Sequence, residues 1–282
     1  MERHSAYSNP GPYASLVAAV DPEIATIART VTNLVGHYRA ESEGLDQGNA
    51  GEIHLRGVAE ILEADQSRHP LPLSEPRPPR SRVHGCCRDH ALLAVSILRS
   101  HGVAARTRVG FAGYFIPGWW ADHVVAELWD GERWLRFDPE FVDPSPDFSP
   151  HDLTAPDQRL FRTAAEAWLG WRSGELDLTD HGVAPDLPEL TGPPIVRDYV
   201  VFEAAHLCGD ELLLWDLWGG LLPDGELDDA VVDELAHLLV EGRDADLERL
   251  YRSDDRLHPT GTVLRLDPLG GEPVEESLAA GG

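Results

Sequence analysis

The 282-residue sequence predicts an α+β fold, in which one apolar helix packs on an antiparallel sheet and further helices are added at both ends. Two observations predict the centre of this fold. An apolar helical pattern begins at Cys87 and ends before Gly102, a residue type common at helix C-termini. Two strand-like runs, 124–129 and 133–137, follow and are joined by 130–131, an Asp-Gly pair typical of a hairpin turn. The strands are therefore expected to be antiparallel neighbours.

Helices are also predicted before this centre. Asp21 precedes a proline and favours a helix start, and apolar residues repeat at helical spacing through 24–35. A second helix is predicted over 52–65. The segment 69–80 contains prolines at 70, 72, 76, 78 and 79, so we expect an extended, polyproline-like connector that leads to the cysteine.

Beyond the cysteine helix, a strand is predicted over 105–111 and a Gly/Pro/aromatic loop over 112–121. A mainly helical region is expected after the two hairpin strands. Its predicted helices cover 163–171, 196–207, 211–218, 227–240 and 244–251.

Composition limits the partners and the location of the protein. The net charge is −26, from 23 basic and 49 acidic residues, and such a field repels nucleic acid and anionic membranes. We therefore expect neither as a partner. No apolar run approaches the roughly 18 residues of a membrane span, and the first residues lack a secretory pattern. With three cysteines, two of them adjacent, a reducing cytoplasmic location is expected.

A cysteine, a histidine and an aspartate occur in order where their chemistry would require them. Cys87 opens a helix, whose N–H groups and dipole favour a thiolate. His123 opens one predicted strand and Asp138 ends the next, so the hairpin would bring imidazole and carboxylate together. The pattern indicates a nucleophilic-cysteine triad. Each residue alone also has a structural explanation without catalysis. Cys87 could be a small buried apolar residue, His123 a histidine whose ring is hydrogen-bonded within the fold, and Asp138 part of a turn.

The motif around these residues resembles the transglutaminase-like superfamily. The resemblance rests on 85–91, continuing to 98–106, and on 123–127, 131–134 and 137–139. It implies a papain-like transglutaminase core, with a cysteine helix packed on an antiparallel sheet. Departures are two valines after His123 and a histidine, His90, at a position often filled by an aromatic residue.

This resemblance implies that Cys87, His123 and Asp138 act as nucleophile, base and orienting carboxylate. The expected function is acyl transfer or hydrolysis of an amide or thioester through an acyl-thioester, as in an acyltransferase, amidase or peptidase. A peptide, a protein or a small acyl compound would be the substrate, and no cofactor is required. The alternative is a non-catalytic protein-interaction module on the same fold. The oligomeric state is not predicted.

Three regions are predicted from these patterns. Residues 1–68 form a helical lead-in packed on the core, 69–160 the catalytic core, and 161–282 the mainly helical extension.

Other side chains near the triad have predicted roles that follow from their surroundings in the sequence. Tyr114, Trp119 and Trp120 lie in the aromatic stretch before the histidine and are candidate substrate-binding residues, unless the tryptophans only anchor the stretch to the core. Cys86 is expected to be a packed neighbour of the nucleophile. A zinc site built from His84, Cys86, Cys87 and His90, with His123, is the metal alternative. Because the chain has no Cys-x₂₋₄-Cys pair, no metal is expected.

Overall fold

Helices and strands are interspersed through residues 3–143, 148–155 and 160–278, which the computed structural model describes. The helices are α1 (Ala14–Ala18), α2 (Ile24–Leu34), α3 (Val58–Arg68), α4 (Cys87–Ser100), α5 (Ala164–Arg172), α6 (Pro193–Leu207), α7 (Asp229–Glu241) and α8 (Asp244–Ser253). The strands are β1 (Val35–His37), β2 (Val83–Gly85), β3 (Ala105–Ile116), β4 (Trp119–Trp129), β5 (Trp134–Phe137), β6 (Phe161–Thr163), β7 (His181–Gly182), β8 (Asp216–Leu217), β9 (Thr262–Arg265) and β10 (Val274–Ser277). None of the helices in these ranges is long and apolar enough to cross a membrane.

The chain forms two compact units. The first comprises residues 1–108 and 124–159, and the second comprises 109–123 and 160–282, so the long strands β3 and β4 contribute to both. The three-region division into 1–68, 69–160 and 161–282 stays a prediction.

The core of the first unit joins the cysteine helix to the sheet. Side chains from α2, α3, α4, β4 and β5 are buried in one cluster, which includes Ile27, Leu62, Leu92, Ala126 and Phe137. The α+β prediction, with a cysteine helix packed on an antiparallel sheet, is therefore confirmed.

The main sheet has the strand order β5-β4-β3-β6, and β7 pairs with β4. Strands β4 and β5 are antiparallel, with Ala126 opposite Phe137 and Trp129 opposite Trp134. Gly131 in the connecting turn has φ +106°, a conformation that favours glycine. The hairpin predicted at this turn is confirmed.

The predicted loop over 112–121 is wrong, because β3 continues to Ile116 and β4 begins at Trp119. Only Pro117 and Gly118 lie between the strands, and Gly118 has φ +75°. Aromatic residues favour strands, and this preference outweighed the loop signal from glycine and proline. Gly113 also has a packing reason, since a Cβ atom there would lie 3.3 Å from the Trp120 ring.

The second unit packs α5 against two neighbouring helices. The Ala165 amide donates to the buried Glu203 carboxylate of α6, and the Trp168 indole donates to Asp233 of α7, both at 2.8 Å. The predicted helix over 211–218 is wrong. That segment ends in β8, part of a three-stranded sheet ordered β10-β9-β8 that the periodicity did not predict.

Two N-terminal boundaries also differ from prediction. Helix α2 begins at Ile24 rather than at Asp21, whose carboxylate accepts a bond from the Glu23 amide within the preceding turn. The predicted helix over 52–65 is divided into a 3₁₀ segment, Gln47–His54, and α3.

Candidate active site

Cys87 is the first residue of α4, as predicted, and is 6% exposed. The helix start is held by its own polar groups. The Asp89 carboxylate accepts a 2.9 Å bond from the Cys86 amide and a 2.8 Å bond from Arg88. Arg88, itself fully buried, also donates to the Arg56 carbonyl at 2.5 Å. The Cys87 thiol therefore belongs to a fixed helix N-terminus, where the dipole favours an anion.

The two adjacent cysteines differ in their electrostatics. A hydrogen bond with Cys87 lowers the pKa of Cys86, but burial and the neighbouring Asp89 charge outweigh it, so the pKa of Cys86 is raised. A raised pKa keeps Cys86 as a thiol at neutral pH. This favours Cys87 as the nucleophile of the pair.

His123 lies on β4 and is 2% exposed. Two aromatic rings approach it edge to face, Phe115 at 4.9 Å and Tyr114 at 6.1 Å between ring centroids. The residue before it, Asp122, accepts a 2.6 Å bond from the Tyr199 hydroxyl. Phe115 is 40% exposed and is not among the predicted site residues, because a loop predicted over 112–121 does not specify which ring faces the histidine.

Asp138 is the first residue after β5 and is fully buried. Its amide donates to the Pro150 carbonyl at 2.7 Å, and its carboxylate accepts from the Glu140 amide at 2.9 Å. In the strand register, Asp138 comes directly after the residue paired with Ala126. His123 precedes Ala126 by three residues on the same strand.

A buried charge cluster fixes the strands that carry these residues. Glu127 of β4 contacts Arg106 of β3 at 2.7 Å and Arg136 of β5 at 2.5 Å, with Arg108 of β3 at 3.5 Å. Burial alone would raise the pKa of Glu127, but the three guanidinium groups lower it to about 2. Glu127 is therefore a carboxylate at all physiological pH values and links three neighbouring strands.

The tryptophans predicted to bind substrate, Trp119 and Trp120, also make contacts within the protein. Trp120 is stacked on His181, with ring centroids 5.5 Å apart, and the Arg162 guanidinium lies 3.8 Å over the Trp120 ring. Trp119 is only 8% exposed. The roles of Tyr114, Trp119 and Trp120 in substrate binding stay predictions.

The side chains of the zinc alternative have other partners. His84 Nε2 lies 2.9 Å from the Asp46 carbonyl, and both ring nitrogens of His90 contact carbonyl oxygens. In the ranges that the structure describes, no group of three potential ligands includes His84, Cys86, Cys87 or His90.

The segment that contains the cysteine helix and the hairpin is similar to a known family. Residues 63–139 match the family model of the transglutaminase-like superfamily, and this range contains Cys87, His123 and Asp138. The predicted resemblance to this superfamily is confirmed for this part of the chain.

A candidate cysteine protease from Cytophaga hutchinsonii is similar over 56% of this chain, at 16% identity and a TM-score of 0.34. The chain spans 48% of the length of that protein. The search of curated proteins found no match.

Proposed function

We propose that this protein is a cysteine-dependent acyl-transfer enzyme with Cys87, His123 and Asp138 as its triad. The Cys87 thiolate attacks the carbonyl carbon of an amide or thioester, and the leaving group departs with a proton from His123. An acyl-thioester on Cys87 remains. Water or an amine then attacks it, His123 takes the proton of the attacking group, and the thiolate is released.

One observation carries the proposal: Cys87 opens a buried helix inside the segment that matches the transglutaminase-like superfamily. The helix dipole supports a thiolate at this position, and His123 would supply the imidazolium. The backbone N–H of Cys87 is our candidate for one donor to the oxyanion. Asp138 would accept the second N–H of the imidazole. The reaction needs no metal or cofactor, and we propose a cytoplasmic location, where the three cysteines stay reduced.

The substrate class is a peptide, a protein or a small acyl compound. If water attacks the acyl-enzyme, the protein is a hydrolase. If an amine attacks it, the protein is a transferase. All 23 basic residues are arginines, so the protein has no lysine amine that could serve as an acyl acceptor for its own reaction.

Trapping the acyl-enzyme tests the proposal. The protein is mixed with an activated acetyl thioester, quenched in acid and digested, and the peptide that carries Cys87 is weighed by mass spectrometry. We expect one acetyl group on Cys87 in the parent protein and in the control Cys86→Ala, and none in Cys87→Ala. Addition of glycinamide to the parent then separates hydrolysis from amide formation by product mass.

An unmodified Cys87 in the parent protein, with no more acetate or acetyl-glycinamide formed than in Cys87→Ala, would contradict the proposal. That result would instead favour the alternative, a protein-interaction module without catalysis.

A further inference from the structure

The helix that begins at Cys87 carries a buried histidine three residues later, and both of its ring nitrogens meet oxygen atoms. His90 Nδ1 lies 2.9 Å from the Cys86 carbonyl oxygen and 3.0 Å from Oε1 of Glu140. His90 Nε2 lies 3.1 Å from the Val35 carbonyl oxygen, at the start of β1. The residue is 1% exposed. One ring therefore contacts three segments of the first unit.

These contacts determine the charge of the ring. A neutral imidazole has a single N–H, so only the imidazolium donates from both nitrogens to the surrounding oxygens. Burial lowers the pKa of His90, but the nearby Glu140 carboxylate, the Cys86 carbonyl and the Asp89 charge raise it to about 9. His90 and Glu140 thus form an ion pair at neutral pH, in which the imidazolium is buried and the Glu140 side chain is 15% exposed.

Glu140 continues the connection to the candidate triad, because its amide donates to the Asp138 carboxylate at 2.9 Å. We propose that His90 is a positioning residue, whose contacts with Cys86 and Glu140 hold the start of the cysteine helix and the Asp138 turn in a fixed relation. This inference rests on the proposed function. His90 would act through its neighbours and would not touch the substrate.

Separating reactivity from stability tests this role. His90→Phe keeps an aromatic ring but leaves the largely covered Glu140 carboxylate without its imidazolium, which lowers the melting temperature. The double variant His90→Phe/Glu140→Gln removes that charge, so we expect most of the melting temperature to return. Alkylation of Cys87 by iodoacetamide is followed by mass spectrometry as a function of pH. The inflection of its pH–rate profile should nevertheless stay about one pH unit above that of the parent, so that below the parent's inflection the double variant reacts roughly tenfold more slowly.

The matched control is His101→Phe, at the opposite end of the same helix. His101 Nε2 contacts the Val20 carbonyl at 2.8 Å, so this change removes a histidine contact remote from Cys87. It should alter the melting temperature without altering the alkylation rate. Glu140→Gln alone keeps the His90 ring but removes the charge that it contacts. This variant tests the same His90–Glu140 contact and should also slow the alkylation of Cys87.

Three outcomes contradict the inference in different ways. A double variant that alkylates at the parent rate shows that the pair only stabilises the fold. If the double variant does not fold, a parent rate in Glu140→Gln has the same meaning. If Cys87 of the parent reacts no faster than a cysteine in an unfolded peptide, the proposed function fails, and the positioning role fails with it.

Discussion

Replacing Glu127 by glutamine should destabilise the protein strongly at neutral pH and weakly in acid. The change keeps the shape of the side chain and removes its charge. Three guanidinium groups, of Arg106, Arg108 and Arg136, then lose the carboxylate they surround. Because Glu127 is 1% exposed, water cannot replace that carboxylate.

The magnitude follows from the pKa of Glu127, which the arginines lower from 4.5 to about 2. At about 1.36 kcal/mol per pKa unit, this difference corresponds to roughly 3 kcal/mol of folding free energy. A lowered pKa means that the folded state favours the ionised form. The stabilisation is therefore complete above pH 4.5 and is lost as the pH falls towards 2.

The assay is urea unfolding followed by tryptophan fluorescence, at pH 7 and at steps down to pH 3. We expect Glu127→Gln to lose about 3 kcal/mol at pH 7, with the difference from the parent shrinking below pH 4.5. Glu132→Gln, at an exposed position in the turn after β4, is the control and should stay within about 0.5 kcal/mol. A loss at pH 7 as small as the control's, or one independent of pH, would refute the reasoning.

Three other predictions concern stability, the cysteine segment and selectivity. Arg77→Met should lower the free energy of unfolding, measured in urea, by about 3–5 kcal/mol, because both side chains of the Arg77–Asp65 pair are 0% exposed. Arg80→Met, at an exposed position, is the control and should leave this free energy nearly unchanged; equal effects of the two substitutions would contradict the prediction. Gly85→Ala should slow alkylation of Cys87, since its Cβ would lie 2.7 Å from Val35 and 2.8 Å from the Asp89 carboxylate that binds the Cys86 amide; Gly51→Ala, with nothing within 4 Å, is the control. Burial raises the pKa of Cys208 to about 12, so Cys208 should stay unlabelled by iodoacetamide at pH 7 until urea unfolds the protein, and early labelling in the native state would argue against that burial.

The parts of the fold that local signals specify were predictable. Cys87 begins a helix, Gly102 with φ +73° follows its end, and an Asp-Gly turn joins two strands. Each of these features depends on a few adjacent residues, so the sequence alone could predict it. The C-terminal sheet was missed for the opposite reason. β8 and β9 are 2 and 4 residues long, and their pairing depends on contacts distant in sequence.

The candidate site shows the same limit. Motif order points to Cys87, His123 and Asp138, but no sequence pattern shows that Phe115 packs on the histidine. The ion pair of His90 and Glu140 joins residues from two elements, and neither residue attracts notice alone. Such contacts exist only once the fold brings the elements together.

The central claim is that Cys87 is an activated nucleophile, and the pH dependence of its alkylation tests this most directly. The second-order rate with iodoacetamide is measured at Cys87 from pH 5 to pH 9, in the parent protein and in His123→Ala. A thiolate–imidazolium pair predicts substantial reactivity below pH 7 in the parent, and its loss in the variant. A parent profile with one inflection near the free cysteine value of about 8.5, unchanged in His123→Ala, would contradict the account.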